Sequence, residues 1–576
     1  MTGVIVERDV WIPMRDGVGM QADIWRPADD GRYPVLLQRT PYNRADSFAV
    51  IVNAGVEPLR AVAEGFVVAI SDTRGRFGSH GRFDPFRTEA ADGYDTVQWL
   101  AEQPYSSGRI GMYGGSYYGA TQLLAATARP PALKALAPQV TASDFHDNWI
   151  YHGGALQLGF ALYWALGLAS AELVRRREAG EALDAEAKEL QQLVADPQRA
   201  FRSRPLADIG AFRTLLPAWQ TWLEHPGRDE FWRAVSIAEH HPALDLPALH
   251  VGGWFDLFLP GTLANFAGMS ATSAQQRLII GPWAHAVYYD ALGEVDYGAA
   301  APMAALDLTR IQLDWFATHL AETPSPQRAP TVSIFVMGDN VWRTEDAFPP
   351  ARARTERWYV HPDPDGFGRL DTETPGAEEG FSGFVYDPAN PVPTVGGATF
   401  LPGAYVGLNS GQRDQRAVER RPDVLSFTST ALHEPLELCG PVSMVLHAAT
   451  DAADTDWTAK LVDVHPDGRA LNVCDGIIRA RYRTGAEHAE LVPPGAAREF
   501  SIDLGATSLV LSPGHALRVE ISSSNFPRFD AHPNTADPIA AARADELVVA
   551  HQQIWHSAER PSYLEVNVVP RASSSR

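Results

Sequence analysis

A serine, an aspartate and a histidine stand in three similar local settings along this chain. Ser116 lies in Arg109-Ile110-Gly111-Met112-Tyr113-Gly114-Gly115-Ser116-Tyr117-Tyr118-Gly119, a short apolar run that breaks into glycines before residues that suit a helix start. Asp256 closes His250-Val251-Gly252-Gly253-Trp254-Phe255-Asp256, and His285 closes Ile280-Gly281-Pro282-Trp283-Ala284-His285. A serine hydroxyl attacks poorly until a histidine takes its proton, and that histidine needs an acid to orient it. The order serine, acid, base, each just past a strand, is one of the known chain orders for such a relay. The implied chemistry is attack on an acyl carbon. At a strand-to-helix turn, the first N–H groups and the helix dipole also favour a developing oxyanion. The usual Gly-x-Ser-x-Gly spacing is not kept, since Tyr118 takes the fifth place and glycine follows at Gly119. A Gly-rich turn also arises for steric reasons alone, and a lone aspartate or histidine is more often a surface or capping group. The three together, in order, carry the reading. Asp245, Asp290, His240, His241 and His250 lack the same placement. No Cys or carboxylate spacing completes a metal site around His240-His241, so neither metal nor organic cofactor is expected.

The elements that must hold these residues follow from hydrophobic patterning. Val35-Leu36-Leu37-Gln38-Arg39 and Val67-Val68-Ala69-Ile70-Ser71 read as strands buried on both faces. Helical spacing from Val56 ends at Gly65, Asp95 to Gln103 stops at Pro104, and Ala120 to Ala128 stops before Pro130-Pro131. With Arg109 to Tyr113 as a strand among them, this alternation predicts a parallel sheet with helices on both faces. Strand patterns then vanish in a stretch rich in Ala, Leu, Glu and Arg, with tryptophans at 149, 164, 219, 222 and 232, which predicts a helical cap. Gly153 to Ala171 is nearly free of charge, but Gln157, its glycines and the following Glu172 and Arg175-Arg176-Arg177 favour a buried cap helix over a membrane span. Sheet-like runs resume at Ala248-Leu249-His250-Val251 and Leu278-Ile279-Ile280, and Ala305 to His319 reads as one long helix. Later, Lys460 to Val464 and Ala470 to Val473 flank Pro466-Asp467-Gly468 as a hairpin, Pro513-Gly514 parts two more runs, and Tyr563 to Val569 reads as a last strand. The expected organisation is an α/β core over 1–142 and 243–348, a helical cap over 143–242, and an all-β, jelly-roll-like domain over 349–576. A polar tail follows Pro570.

Composition narrows the partners. At 576 residues the chain exceeds one compact core, and 45% hydrophobic with 20% charged residues is ordinary for a globular protein. A net charge of -22 argues against nucleic acid, which needs clustered Lys and Arg. Cys439 and Cys474 are too few for a disulfide framework and read as two buried thiols in a reducing compartment. Met1 to Arg8 has no charged start leading into an apolar run, so a cytoplasmic location is expected.

Further segments carry a resemblance. Asp72-Thr73-Arg74-Gly75-Arg76-Phe77-Gly78-Ser79, Asp92-Gly93-Tyr94-Asp95, Gly-Gly-Ser-Tyr-Tyr-Gly, Gly-Trp-Phe-Asp and Gly-Pro-Trp-Ala-His resemble the family of bacterial cocaine esterases, X-Pro dipeptidyl peptidases and α-amino acid ester hydrolases. Asp414-Gln415-Arg416, Asp456 to Asp463 and Ser522 to Pro527 extend the likeness over essentially the whole chain. The resemblance implies an α/β-hydrolase core with cap and jelly-roll-like domain, and a catalytic triad of Ser116, Asp256 and His285. It implies that Tyr42 donates its hydroxyl to the oxyanion, with the backbone N–H of Tyr117 as second donor. It also places Trp149, Trp164, Phe258, Phe400 and Leu401 around an apolar acyl pocket. The amino acid ester hydrolases carry carboxylates two and three residues past the triad acid to bind a substrate ammonium. Here those places hold Phe258 and Leu259. The expectation is a serine esterase for a small-molecule ester with an aromatic or bulky acyl group, with an amidase or X-Pro dipeptidyl peptidase as the alternative. No membrane partner is expected, and a homodimer is the candidate assembly.

Overall fold

The computed structural model describes residues 3–45, 55–273, 275–322, 331–362, 368–377, 380–401 and 409–571. The tail beyond Arg571 lies outside them. Ten strands form the first sheet: β1 (Val4–Pro13), β2 (Gly19–Pro27), β3 (Tyr33–Thr40), β4 (Val67–Asp72), β5 (Ser106–Gly115), β6 (Leu133–Gln139), β7 (Ala248–Phe255), β8 (Gln276–Ala284), β9 (Val332–Val336) and β10 (Val341–Glu345). Their spatial order is β1-β2-β4-β3-β5-β6-β7-β8-β9-β10. From β4 to β9 every neighbouring pair is parallel. This is the predicted parallel sheet, and β1, β2 and β10 extend its edges antiparallel. β1 is mostly exposed, so the strand lacks the continuous apolar run that marks its buried neighbours.

Alternation along the parallel strands sorts side chains to two faces. Val35, Leu37, Val67, Ala69, Ile110 and Met112 join a core with α2 (Glu89–Ala101) and α3 (Tyr117–Thr127). Leu36, Val68, Ile70, Ala135 and Ala137 join another with α1 (Pro58–Ala63) and α6 (Leu308–His319). Burial of each Val, Leu, Ile and Met side chain among these contributes about 1.5–3 kcal/mol. The helix expected from Ala305 is broken: Asp307 adopts a left-handed conformation at φ 46° and caps α6 by accepting from Arg310 N–H. α2 starts at Glu89, six residues before the expected start at Asp95, because Thr88 and the acidic Glu89 and Asp92 suit a first turn.

Between β6 and β7 lies the helical cap. Its main member is α4 (Leu158–Glu178), whose first half is almost wholly buried. Shorter helices follow at Asp184–Ala195, Pro197–Phe201, Gly210–Leu215, Ala218–Glu224 and Glu230–Arg233. α5 (Leu259–Ser270) leads from β7 back to β8. No described helix is long and apolar enough to cross a membrane.

Beyond residue 353, a second sheet of eleven strands forms an all-β domain. Three of its strands matter below: β11 (Asp456–Val464), β12 (Ala470–Arg479) and β13 (Ala516–Ser522). β11 and β12 form the hairpin predicted around Pro466-Asp467-Gly468. A buried ion network in this domain reaches the cap: Arg479 binds Asp456 and Asp530 at 2.9 Å each and donates to Gly154 O at 3.2 Å, and Asp530 accepts from Leu156 N–H at 2.8 Å. Breaking one side of such a buried network costs about 3–5 kcal/mol.

Candidate active site

Ser116 sits where β5 ends and α3 begins, with φ 56° and ψ -126°. A serine in that region stores about 1–3 kcal/mol of strain, held here by three contacts. Ser116 N–H donates to Gln139 O at 2.9 Å, Ala120 N–H donates to Ser116 O at 3.0 Å, and Thr141 Oγ1 donates to Ser116 O at 2.8 Å. The displaced glycine of the motif has a steric cause. A Cβ on Gly119 would come within 2.7 Å of Thr141 Cβ and 3.1 Å of Gln139 O, where α3 presses on the end of β6.

Asp256 follows β7 directly, and His285 follows β8 directly. Asp256 Oδ1 accepts from Phe258 N–H at 2.7 Å, which leaves Oδ2 facing His285 Nδ1 at 2.9 Å. His285 Nε2 then lies 3.1 Å from Ser116 Oγ. With Nδ1–H donating its hydrogen bond to the carboxylate, Nε2 is left as the acceptor facing the serine hydroxyl. The rings of Phe258 and Phe400 meet the imidazole edge-on, each with centroids 5.1 Å away.

Tyr42 follows β3 on the same cavity wall. Its Oη accepts from Trp164 Nε1 at 2.9 Å, so its own proton is available to another acceptor. Burial pushes its pKa up, against the Trp164 hydrogen bond and the Arg76 charge, and keeps the hydroxyl protonated. The Tyr117 side chain is buried off the cavity wall, donating from Oη to Glu89 at 3.0 Å and accepting from Phe86 N–H at 3.0 Å. Glu89 is paired with fully buried Arg39 at 2.7 Å. This pins the first residue of α3, whose N–H has no intrahelical carbonyl to reach.

Ser116, His285 and Tyr42 open on a cavity of about 1060 Å³. Phe160, Tyr163, Trp164, Leu166 and Leu168 of α4 contribute to its apolar wall, with Phe400 from the C-terminal half packed against Phe160 and Tyr163. Among the five expected pocket residues, Trp164 and Phe400 are therefore on the wall. Trp149 and Phe258 are fully buried one layer behind it, stacked on each other at 4.3 Å, since Phe160 and Trp164 take the front positions. Leu401 is also off the wall and lies against Gly159, at the start of α4. Phe160, Tyr118 and Arg76 line the cavity without having been singled out for it, and Trp222 stacks behind Trp164 at 5.4 Å and 5°. The i, i+4 spacing of Phe160 and Trp164 on one helix was the available signal. Among the described lining residues there is no Asp or Glu. Arg76, buried there, donates to Pro41 O at 2.9 Å and Leu168 O at 3.3 Å, tying the Tyr42 segment to the cap.

Residues 16–287 match the X-Pro dipeptidyl-peptidase (S15 family) model, and residues 325–565 match the X-Pro dipeptidyl-peptidase C-terminal non-catalytic domain. The chain is 36% identical to cocaine esterase of a Rhodococcus species, over 98% of this chain and 99% of that one. Among solved structures it resembles an aminopeptidase from a marine-sediment Thaumarchaeota archaeon, at TM-score 0.83 and 27% identity, covering 99% of this chain and 97% of the other. An α-amino acid ester hydrolase matches at TM-score 0.80 and 26% identity, covering 98% and 97%.

Proposed function

The chain belongs to the S15 family that holds the X-Pro dipeptidyl peptidases and cocaine esterase, and from that premise we propose that Ser116, His285 and Asp256 are the catalytic triad of a serine ester hydrolase. The observation that carries this is the unbroken relay from Asp256 through His285 to Ser116 Oγ, opening on an apolar cavity. In the first step, His285 Nε2 takes the Ser116 proton as Oγ bonds to the ester carbonyl carbon. Asp256 stabilises the imidazolium and is not itself protonated. Negative charge on the carbonyl oxygen is met by Tyr42 O–H and Tyr117 N–H, each worth about 2.7–4 kcal/mol in comparable sites. The C–O bond to the alcohol then breaks, His285 returns the proton to the leaving oxygen, and an acyl-Ser116 ester remains. Water, deprotonated by His285, repeats the sequence and releases the acid.

Substrate preference follows from the walls. Trp164, Phe160 and Phe400 suit an aromatic or bulky apolar acyl group. The amidase reading has its own support in the S15 match and the aminopeptidase neighbour. Its peptidase form is disfavoured because a substrate α-ammonium needs a carboxylate, and none stands among the described lining residues. The C-terminal domain is read as a jelly roll, and the two buried free thiols, Cys439 and Cys474, suit the reducing cytoplasm. A fluorophosphonate probe tests the nucleophile: it labels the wild type and spares Ser116→Ala, whose kcat falls on the order of 10³-fold or more. Near-normal turnover of that variant would remove Ser116 from the mechanism. Faster hydrolysis of an X-Pro anilide than of an aryl benzoate would replace the esterase reading with the peptidase one.

A further inference from the structure

Far along the chain from the catalytic residues, three titratable side chains meet at an end of the C-terminal sheet. Asp463 is the penultimate residue of β11, and His465 follows that strand's last residue. His515 immediately precedes β13. These strands pair antiparallel with Asp463 opposite Leu517 and Val464 opposite Ala516, so the next rung sets His465 beside His515. Directly opposed residues share a face, as do residues two apart, so all three side chains leave the same face. Asp463 Oδ1 lies 2.7 Å from His515 Nδ1, and Oδ2 lies 3.4 Å from His465 Nε2. The two imidazole centroids are 4.3 Å apart. One donor atom from each residue falls within 4.8 Å of the other two.

We propose that Asp463, His465 and His515 form a zinc site. Two imidazoles and a carboxylate are donors that zinc accepts, with water completing four-coordination. Bonds of about 2.0–2.2 Å set tetrahedral donor atoms roughly 3.4 Å apart. The widest pair must then close by no more than about 1.4 Å, within reach of side-chain rotation. The backbone beneath is already fixed. His465 N–H donates to Arg469 O at 2.8 Å, Gly468 N–H donates to His465 O at 2.9 Å, and His515 N–H donates to Ser512 O at 3.1 Å. The adjacent cation, Arg469, is matched by Asp467 at 2.8 Å. The bond made by zinc would tie the 465–469 turn to the 512–515 turn and brace the C-terminal domain. Without zinc the same three side chains are joined by the contacts to Asp463 alone, and metal titration separates the two arrangements.

Full-length protein stripped of metal is titrated with Zn²⁺ by calorimetry and with Co²⁺ by visible absorption. The site predicts one equivalent bound, the intense absorption of four-coordinate cobalt, and a higher melting temperature with Zn²⁺. His465→Ala, His515→Ala and Asp463→Asn should each weaken binding at least about tenfold and abolish the melting shift. Their esterase turnover should stay within about twofold of wild type, which also shows that each variant is folded. Absence of stoichiometric binding, or binding and melting shifts that survive in all three variants, would overturn the proposal.

Discussion

Tyr42→Phe removes one oxygen and leaves the ring packed edge-on against Tyr117 and Tyr118. That oxygen has two separable roles. As an acceptor it satisfies Trp164 Nε1 at 2.9 Å, and as a donor it is proposed to face the oxyanion. Losing the donor should lower kcat about 10²–10³-fold, or about 2.7–4 kcal/mol. KM should hardly move, because the bond strengthens only as charge develops. Losing the acceptor leaves a nearly buried indole N–H unpaired, at a cost of about 1–3 kcal/mol in stability. Trp164→Phe in the same chain deletes that orphan donor, so the double variant should recover part of the stability lost through the unpaired N–H and none of the turnover. Steady-state kinetics on an aryl ester and thermal melts of all four proteins close the cycle. A single variant that melts early yet turns over within a few-fold of wild type would refute the oxyanion role and leave Tyr42 as a strut for Trp164.

Gly253→Ala sets a Cβ 2.4 Å from the backbone oxygen of Trp283, forcing β7 and β8 apart where Asp256 and His285 emerge. A displacement near 1 Å can cost about 10²-fold in kcat, measurable with little loss of far-ultraviolet circular dichroism. Gly119→Ala should act similarly from the serine side, through the contact with Thr141, and its fluorophosphonate labelling should slow in step with kcat. Asp454 tests acid stability. Burial opposes its ionisation, but the charge and hydrogen bond of His532, with Arg481 beside it, hold its pKa down to about 2. A depressed carboxyl contributes stability above its unfolded value, near 3.8, and loses it as pH falls towards 2. The contribution is about 2 kcal/mol, so Asp454→Asn should flatten the melting-temperature profile over that window and lower it at neutral pH.

The segments ending at Ser116, Asp256 and His285 were legible because each combines an apolar strand with a polar residue at its carboxyl end, a local pattern that survives without tertiary information. The strands around Val35, Val67 and Ala248 were equally plain, being buried on both faces. What escaped depends on packing. β1 reads poorly because an exposed edge strand needs no apolar run. The break at Asp307 is invisible to periodicity, since the apolar spacing continues through it. The aromatic residues could be assigned to the region of the pocket but not to a depth within it. Whether Trp149 or Phe160 faces the cavity depends on rotamers and on Phe258 stacking behind. The Asp463, His465 and His515 cluster was likewise hidden, since only strand pairing brings residue 515 beside residue 465.

Phe400 meets the His285 imidazole edge-on and lines the cavity from the other half of the chain. Selectivity is thus inherited jointly. A chimera that joins one relative's first 348 residues to another's remainder would carry one parent's nucleophile behind the other parent's wall. Its preference among acyl groups would belong to neither. Directed evolution confined to the segment bearing Ser116, Asp256 and His285 would leave one side of the pocket unsampled, and substitutions found there would combine non-additively with changes at residue 400.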